Sequence, residues 1–168
     1  MSEAGGRVWC FGNDIDTDAL APGLYMKHSI SELARHCLET VDPDFAARAR
    51  PGDVVVAGRN FGMGSSREQA VLTIRHLGIA AVLARSFAGI FYRNALNLGL
   101  LALVCPKPEL LRPGDRVTVD GLSGTVNDLT TGINVQCEAL PAHLVQMVVD
   151  GGLVPHLERR LSRQKEGR

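Results

Sequence analysis

The stretch Gly62-Met63-Gly64-Ser65-Ser66-Arg67-Glu68 sets two glycines, two hydroxyls and a guanidinium side by side. An apolar run, Val54-Val55-Val56-Ala57, precedes it, and in the stretch that follows Ala70, Ile74 and Leu77 fall on one helical face before Gly78. The order predicts a strand, a loop and the start of a helix. The first-turn amides of a helix and the positive end of its dipole attract an anion, and glycines let the backbone come close to it. Arg67 adds a planar fork matched to a carboxylate. Neither familiar phosphate loop fits: no Lys-Ser/Thr pair follows the second glycine, and Arg67 stands where a dinucleotide loop needs its third glycine. The chemistry indicated is recognition of a carboxylate rather than a nucleotide. Ser65-x-x-Glu68 also has the form of a capping box, and on these local residues alone both readings stay open. A second such box, Ser29-Ile30-Ser31-Glu32, reads as a cap only.

The elements that must position this loop alternate. Val8 to Phe11 reads as a first strand, Ser31 to Thr40 as a helix, and Pro51-Gly52-Asp53 as a turn into the Val54 strand. Ile79 to Ala84 and Leu100 to Val104 read as buried strands, with a helix from Ala88 to Leu98 stopped by Gly99. After Cys105-Pro106-Lys107-Pro108 the pattern changes to short alternating segments around Val117 and Val119, Gly124 to Asp128 and Ile133 to Cys137. A closing helix through Leu144, Val145 and Val148 and a short helical tail follow. The expectation is an α/β fold in one domain over residues 1–168, with its core at about 7–150.

Composition bounds the function. The 168 residues carry 18 basic and 18 acidic side chains, so no general field favours nucleic acid or an anionic membrane. The basic tail from Arg159 to Arg168 is interrupted by Glu166 and reads as a solvated helix end. No apolar run is long enough to span a bilayer, the first six residues lack an apolar core, and four scattered cysteines make no disulfide framework. A cytoplasmic protein without a membrane or nucleic-acid partner is expected. Cys10, Cys37, Cys105 and Cys137 lack the close spacing of cluster ligands, Cys37 falling on a helix face, and are expected to be packed thiols with no metal on this chain.

The segment Gly58 to Ala70, continuing through Arg75-His76-Leu77-Gly78 to Ser86-Phe87-Ala88, resembles the swivel domain of the aconitase superfamily, and most of all its separate small subunit in 3-isopropylmalate dehydratase. Asp14-Ile15-Asp16-Thr17-Asp18, Phe91-Tyr92-Arg93-Asn94-Ala95 and Asn97-Leu98-Gly99-Leu100 agree, so the likeness runs from about residue 8 to about 150. The resemblance implies a swivelling β/β/α domain. It implies a hydro-lyase that isomerises a 2-hydroxy di- or tricarboxylic acid by dehydration and rehydration, with 3-isopropylmalate dehydratase of leucine biosynthesis as the first reading. A homoaconitase or substituted-malate dehydratase small subunit is the alternative. By the same match Ser65 is the base, Ser66, Arg67 and Gly64 hold a substrate carboxylate, and Asp18 belongs to the supporting polar network, although it also suits an Asx turn. The family's 4Fe-4S cluster, which binds the leaving hydroxyl as a Lewis acid, is implied on a large subunit. Activity then needs that partner, in a heterodimer or heterotetramer.

Two departures bear on substrate. The two-subunit relatives carry a Tyr-Leu-Arg triplet and a side-group-sorting residue where this chain has Tyr25-Met26-Lys27-His28. Lys27 keeps the charge without the planar fork, and His28 is polar where an isopropyl group wants apolar atoms, unless it faces solvent. Gly89 replaces an arginine common in relatives. Arg93, Asn94 and His76 are expected to be structural. A non-catalytic carboxylate-binding module is the reading from another class, and the joint presence of Ser65, Ser66 and Arg67 favours the enzyme.

Overall fold

A computed structural model describes residues 4–167. Seven strands form one continuous sheet in the order β4-β3-β2-β1-β5-β6-β7. The strands are β1 (Gly6–Cys10), β2 (Val54–Ala57), β3 (Ala81–Ala84), β4 (Leu101–Val104), β5 (Arg116–Val119), β6 (Thr125–Asp128) and β7 (Asn134–Gln136). The helices are α1 (Thr17–Leu20), α2 (Ile30–Ala34), α3 (Phe45–Arg48), α4 (Glu68–His76), α5 (Gly89–Asn97), α6 (Ala142–Val149) and α7 (Leu153–Glu166).

Strands β1 to β4 are parallel, and each pairs with its successor: Val8 with Val54, Val55 with Val82, Leu83 with Leu103. Right-handed crossovers that always step in one direction put every connecting helix on the same face. Side chains of Val55, Ala57, Val82, Ala84 and Ala102 pack against that helical layer with Phe45, Phe61, Ile74 and Phe91. The opposite face, with Val54, Val56, Ala81, Leu83 and Leu103, is covered by Val117, Val126, Val135, Leu140 and Met147. Strands buried on both faces explain why VVVA and AVLA read as unbroken apolar runs.

The antiparallel β5 to β7 curl over that second face. Beyond β7 the Glu138 amide donates to the Val104 carbonyl at 2.8 Å, so the end of the antiparallel section meets the edge strand β4 and the sheet turns towards closure. The result is the β/β/α layering and α/β class that the resemblance implies. Under the first strand the buried Asp53 carboxylate accepts from the Arg7 amide, the Trp9 indole and the Arg50 amide at 3.1, 2.9 and 2.9 Å. Asp115 and Asp128 face each other where β5 meets β6, both buried. The facing carboxylate of Asp128 pushes the Asp115 carboxyl up, and Asp128 Oδ2 is buried without a hydrogen-bond partner among the described residues.

The helix expected from Ser31 to Thr40 is shorter. Ser29 caps α2 as expected, accepting from the Glu32 amide at 3.2 Å, but the helix ends at Ala34. The chain then runs through turns to Leu38, whose φ is 60° and whose amide donates to Ala19 at 2.7 Å. A tertiary hydrogen bond to the first helix outweighs continued helix here, and Cys37 lies in that turn rather than on a helix face, though still buried.

Candidate active site

Two loops build the site, one after β1 and one after β2, laced together by main-chain hydrogen bonds. The Gly58 amide donates to Gly12, Asp14 to Arg59, Gly62 to Ile15 and Thr17 to Met63, at 3.1, 2.8, 2.7 and 2.8 Å. Asn13 Oδ1 accepts from the Arg59 amide, and Asn60 Nδ2 donates to Asp14 Oδ1. The loops thus continue, beyond the sheet, the parallel pairing of β1 with β2.

Gly62 and Gly64 shape the second loop, with φ of 84° and 100°. A Cβ on Gly62 would lie 2.1 Å from the Phe91 ring, and one on Gly64 would lie 3.2 Å from Thr17 Oγ1. Helix α4 begins at Glu68 with Arg67 in the capping position and no side-chain cap. Ser65 therefore does not act as the cap that its spacing allowed. Ser65 and Ser66 are exposed, and neither hydroxyl makes a hydrogen bond among the described residues. The amides of Ser65, Ser66, Glu68 and Gln69 also have no acceptor among them. Free hydroxyls beside free amides at the start of a nine-residue helix are donors of the kind that can receive an oxyanion.

Arg67 Nη1 donates to Asp18 Oδ1 at 3.0 Å and to the Ala21 carbonyl at 2.9 Å. Asp18 Oδ1 also accepts from the Gly23 amide at 2.9 Å. That backbone bond, and after it the guanidinium, hold the Asp18 carboxyl below its usual range, so it stays ionised. The Asx-type bond expected of Asp18 is present, and the same carboxylate oxygen also accepts from Arg67. One Arg67 nitrogen is thereby committed, and the other guanidinium nitrogens face no acceptor among the described residues.

Lys27 and His28 stand apart from this group. Both are exposed, and His28 Nδ1 lies 2.8 Å from Glu32 Oε2 on α2. Their loop is held by Tyr25, whose ring stacks on His36 with centroids 3.6 Å apart. Leu24, at 82% exposure, projects from the same loop and was not singled out from sequence. Nor was Thr17, a buried threonine whose hydroxyl borders Gly64; its place inside Asp16-Thr17-Asp18 was the only signal. Gly89 opens α5 with nothing within 4 Å of a would-be Cβ, so a longer side chain there would meet no neighbour. Arg93 and His76 are exposed and carry no hydrogen bond to the loop.

The thiols do not fit a four-iron cluster. Cys10 sits on β1 and Cys37 in the helical layer, where burial pushes them up to about 11 and about 12. Cys105 and Cys137 face each other within the second apolar cluster, and Cys105 also meets the Lys107 backbone. Among the described residues no three His, Cys, Asp or Glu side chains converge. No helix among them is long and apolar enough to cross a membrane.

The family profile described as the Aconitase C-terminal domain matches residues 18–108, the span that holds Asp18 and the whole Gly62 to Glu68 loop. The 3-isopropylmalate dehydratase small subunit of Heliobacterium modesticaldum is 45% identical over 162 residues, 95% of this chain and 98% of that one. The methanogen homoaconitase small subunit of Methanothermobacter thermautotrophicus is 45% identical over 152 residues, 90% and 88% of the two. Among solved structures, 3-isopropylmalate dehydratase (leuD) from Methanocaldococcus jannaschii superposes with a TM-score of 0.90 at 40% identity, covering 98% of this chain and 99% of that one. The profile match, the near-complete coverage at 40–45% identity and the superposition over almost the whole length mean that the chain belongs to the aconitase C-terminal domain family, in the branch of separate hydro-lyase small subunits.

Proposed function

We propose that this chain is the small subunit of a 3-isopropylmalate dehydratase, supplying half of an active site that a cluster-bearing large subunit completes. The observation that carries the proposal is the uncapped Ser65 hydroxyl, exposed among unengaged amides on a loop fixed by main-chain rungs. Ser65 Oγ takes the carbon-bound proton and returns one to the neighbouring carbon. The amides around it and the helix dipole stabilise the alkoxide, since preorganised donors cost no reorganisation during the step. Ser66, the Gly64 backbone and the free nitrogens of Arg67 hold a carboxylate, while Asp18 fixes the direction of the guanidinium. Lys27 and His28 are assigned to the side-group end of the substrate once the partner closes over them. In this reading the 4Fe-4S cluster sits on the large subunit and the assembly works in the cytoplasm.

The exposed, polar Lys27 and His28 favour one second reading, a homoaconitase or substituted-malate dehydratase, and a homoaconitase small subunit is among the relatives. Anaerobic turnover with the cognate large subunit, over isopropylmalate, homocitrate, citrate and methyl-substituted malates, separates the two. Ser65→Ala should lower kcat by about 10²–10⁴-fold with little change in substrate affinity. Equal loss of binding and turnover would overturn the base role, and silence across the panel from an intact complex would favour a non-catalytic carboxylate-binding module.

A further inference from the structure

A second concave site lies beyond the carboxyl ends of β1, β2 and β3, where residues of both sheet faces meet the loop before β5. It is a cleft of about 620 Å³ at the mouth of the curled sheet, within the size range of small-molecule sites, and parallel sheets commonly bind ligands beyond the carboxyl ends of their strands. Its floor is apolar, built from Phe11, Val56, Ala57 and Leu111. The Cys10 thiol donates to the Leu111 carbonyl at 3.5 Å across the floor, fixing the loop before β5 to the first strand.

The rim is charged and unevenly so. Arg59, Arg85 and Arg112 face it against one carboxylate, Glu109. Glu109 is already engaged, accepting from Arg85 at 2.6 Å. Arg59 and Arg112 are exposed, and neither guanidinium makes a hydrogen bond or an ion pair among the described residues, although the Arg112 charge also acts on the carboxyl of Asp115. Two free planar forks over an apolar floor match a particular ligand chemistry: two anionic groups, or one doubly charged group, on a compact hydrocarbon body. A nucleic acid would need an open basic track rather than a closed apolar floor.

We infer that this cleft is an ancillary binding site for a small organic dianion with an apolar body, held by Arg59 and Arg112 and separate from the Ser65 loop. Its wall at Gly58 and Arg59 is the same segment whose main chain is laced to Gly12 and Asp14 and runs on into Gly62. The cleft therefore borders the base of the carboxylate loop, while its lining includes none of Ser65, Ser66 or Arg67. The inference does not depend on the reading of Ser65 as a base.

The test is a titration of the full chain followed by amide NMR, with n-butylmalonate as the probe and malonate and inorganic phosphate as controls. Saturable shifts are expected at Gly58, Arg59 and Arg112, with butylmalonate bound about ten-fold or more tighter than malonate because its tail covers the floor. Arg59→Gln and Arg112→Gln, both at exposed and unpaired positions, should each weaken binding by about ten-fold. Arg67→Gln should leave it unchanged. Loss of binding in Arg67→Gln would assign the probe to the carboxylate loop and overturn the inference. Equal affinity for phosphate, malonate and butylmalonate would reduce the cleft to general positive charge and overturn it as well. The titration is repeated on the complex with the large subunit. Retained binding supports the site, and its loss there would identify the cleft as subunit contact instead.

Discussion

Replacing Gly62 by alanine tests how the loop is held. At a φ of 84° an L residue carries a backbone cost of about 1–2 kcal/mol. The added Cβ would start 2.1 Å from Phe91 Cγ. Carbon atoms need about 3.5 Å, so the ring must retreat by roughly 1.4 Å or the loop must lift by as much. Phe91 has little room to retreat. It is 3% exposed and packs edge-on against Phe61, with ring centroids 5.2 Å apart. Overpacking of this kind costs about 1–3 kcal/mol, so the two contributions sum to about 2–5 kcal/mol, a large share of the about 5–15 kcal/mol available to a folded domain. Gly64→Ala is the internal control. Its φ is 100°, but its nearest neighbour, Thr17 Oγ1 at 3.2 Å, need give by only a few tenths of an ångström, so about 1–2 kcal/mol, mainly from the backbone, is expected. Equilibrium urea unfolding read by Trp9, the single tryptophan, measures both. Phe91→Leu in the Gly62→Ala background should recover part of the loss, because the contact that clashes is removed. If Gly62→Ala proves no more destabilising than Gly64→Ala, the steric argument is wrong.

Further expectations rest on the charged groups. Asp18→Asn should cost less than about 1 kcal/mol of stability, since the Asp18 side chain is largely exposed. It should nevertheless lower kcat/KM of the reconstituted enzyme by about ten-fold or more, because Arg67 loses its orienting partner; a large stability loss with full activity would contradict this. Asp115 is held above the ordinary carboxylate value, so the folded state binds its proton more tightly than the unfolded chain. Stability should therefore decline as pH rises from about 4 through that raised value, and Asp115→Asn should flatten this part of a thermal-midpoint profile. Asp150 is shifted the other way, chiefly by His156. Its contribution is present above the ordinary carboxylate value and lost on acidification through the depressed one, a loss that Asp150→Asn would remove from the acid limb. Changing Lys27-His28 to Arg-Leu should raise isopropylmalate turnover relative to the other acids, and an unchanged preference would exclude this loop as the selector.

The sequence made the strands legible because their burial is simple. Val54 to Ala57 and Ala81 to Ala84 are covered on both faces and read as apolar runs, while β5 to β7 alternate and read as half-buried. The Gly62 to Glu68 loop was legible for a chemical reason, since few structures need glycines, hydroxyls and a guanidinium together. What stayed hidden depends on contacts distant in the chain. The early end of α2 follows from the Leu38 bond to Ala19, and the failure of Ser65 to cap α4 follows from the extended backbone at Arg67, with φ −91° and ψ 114°. The arginine-rimmed cleft draws on residues from four separate stretches between Cys10 and Pro113, none of which forms a motif by itself.

The lacing of the two loops also constrains the order in which the molecule can be made. Its side-chain rungs join residues 46 positions apart, and Arg67 reaches Asp18 across 49. Closing such separations costs chain entropy before any contact repays it, so nothing local can pre-form the loop. The Ser65 segment acquires its shape only after the first strand has found the second. A nascent chain that has emerged as far as residue 67 already contains every rung and both strands that set their register, but it still lacks Ser86 and Ala88, which hydrogen-bond Phe61. The shape of this loop is thus a product of β1 meeting β2, and a chain in which those two strands fail to pair has no means of setting it.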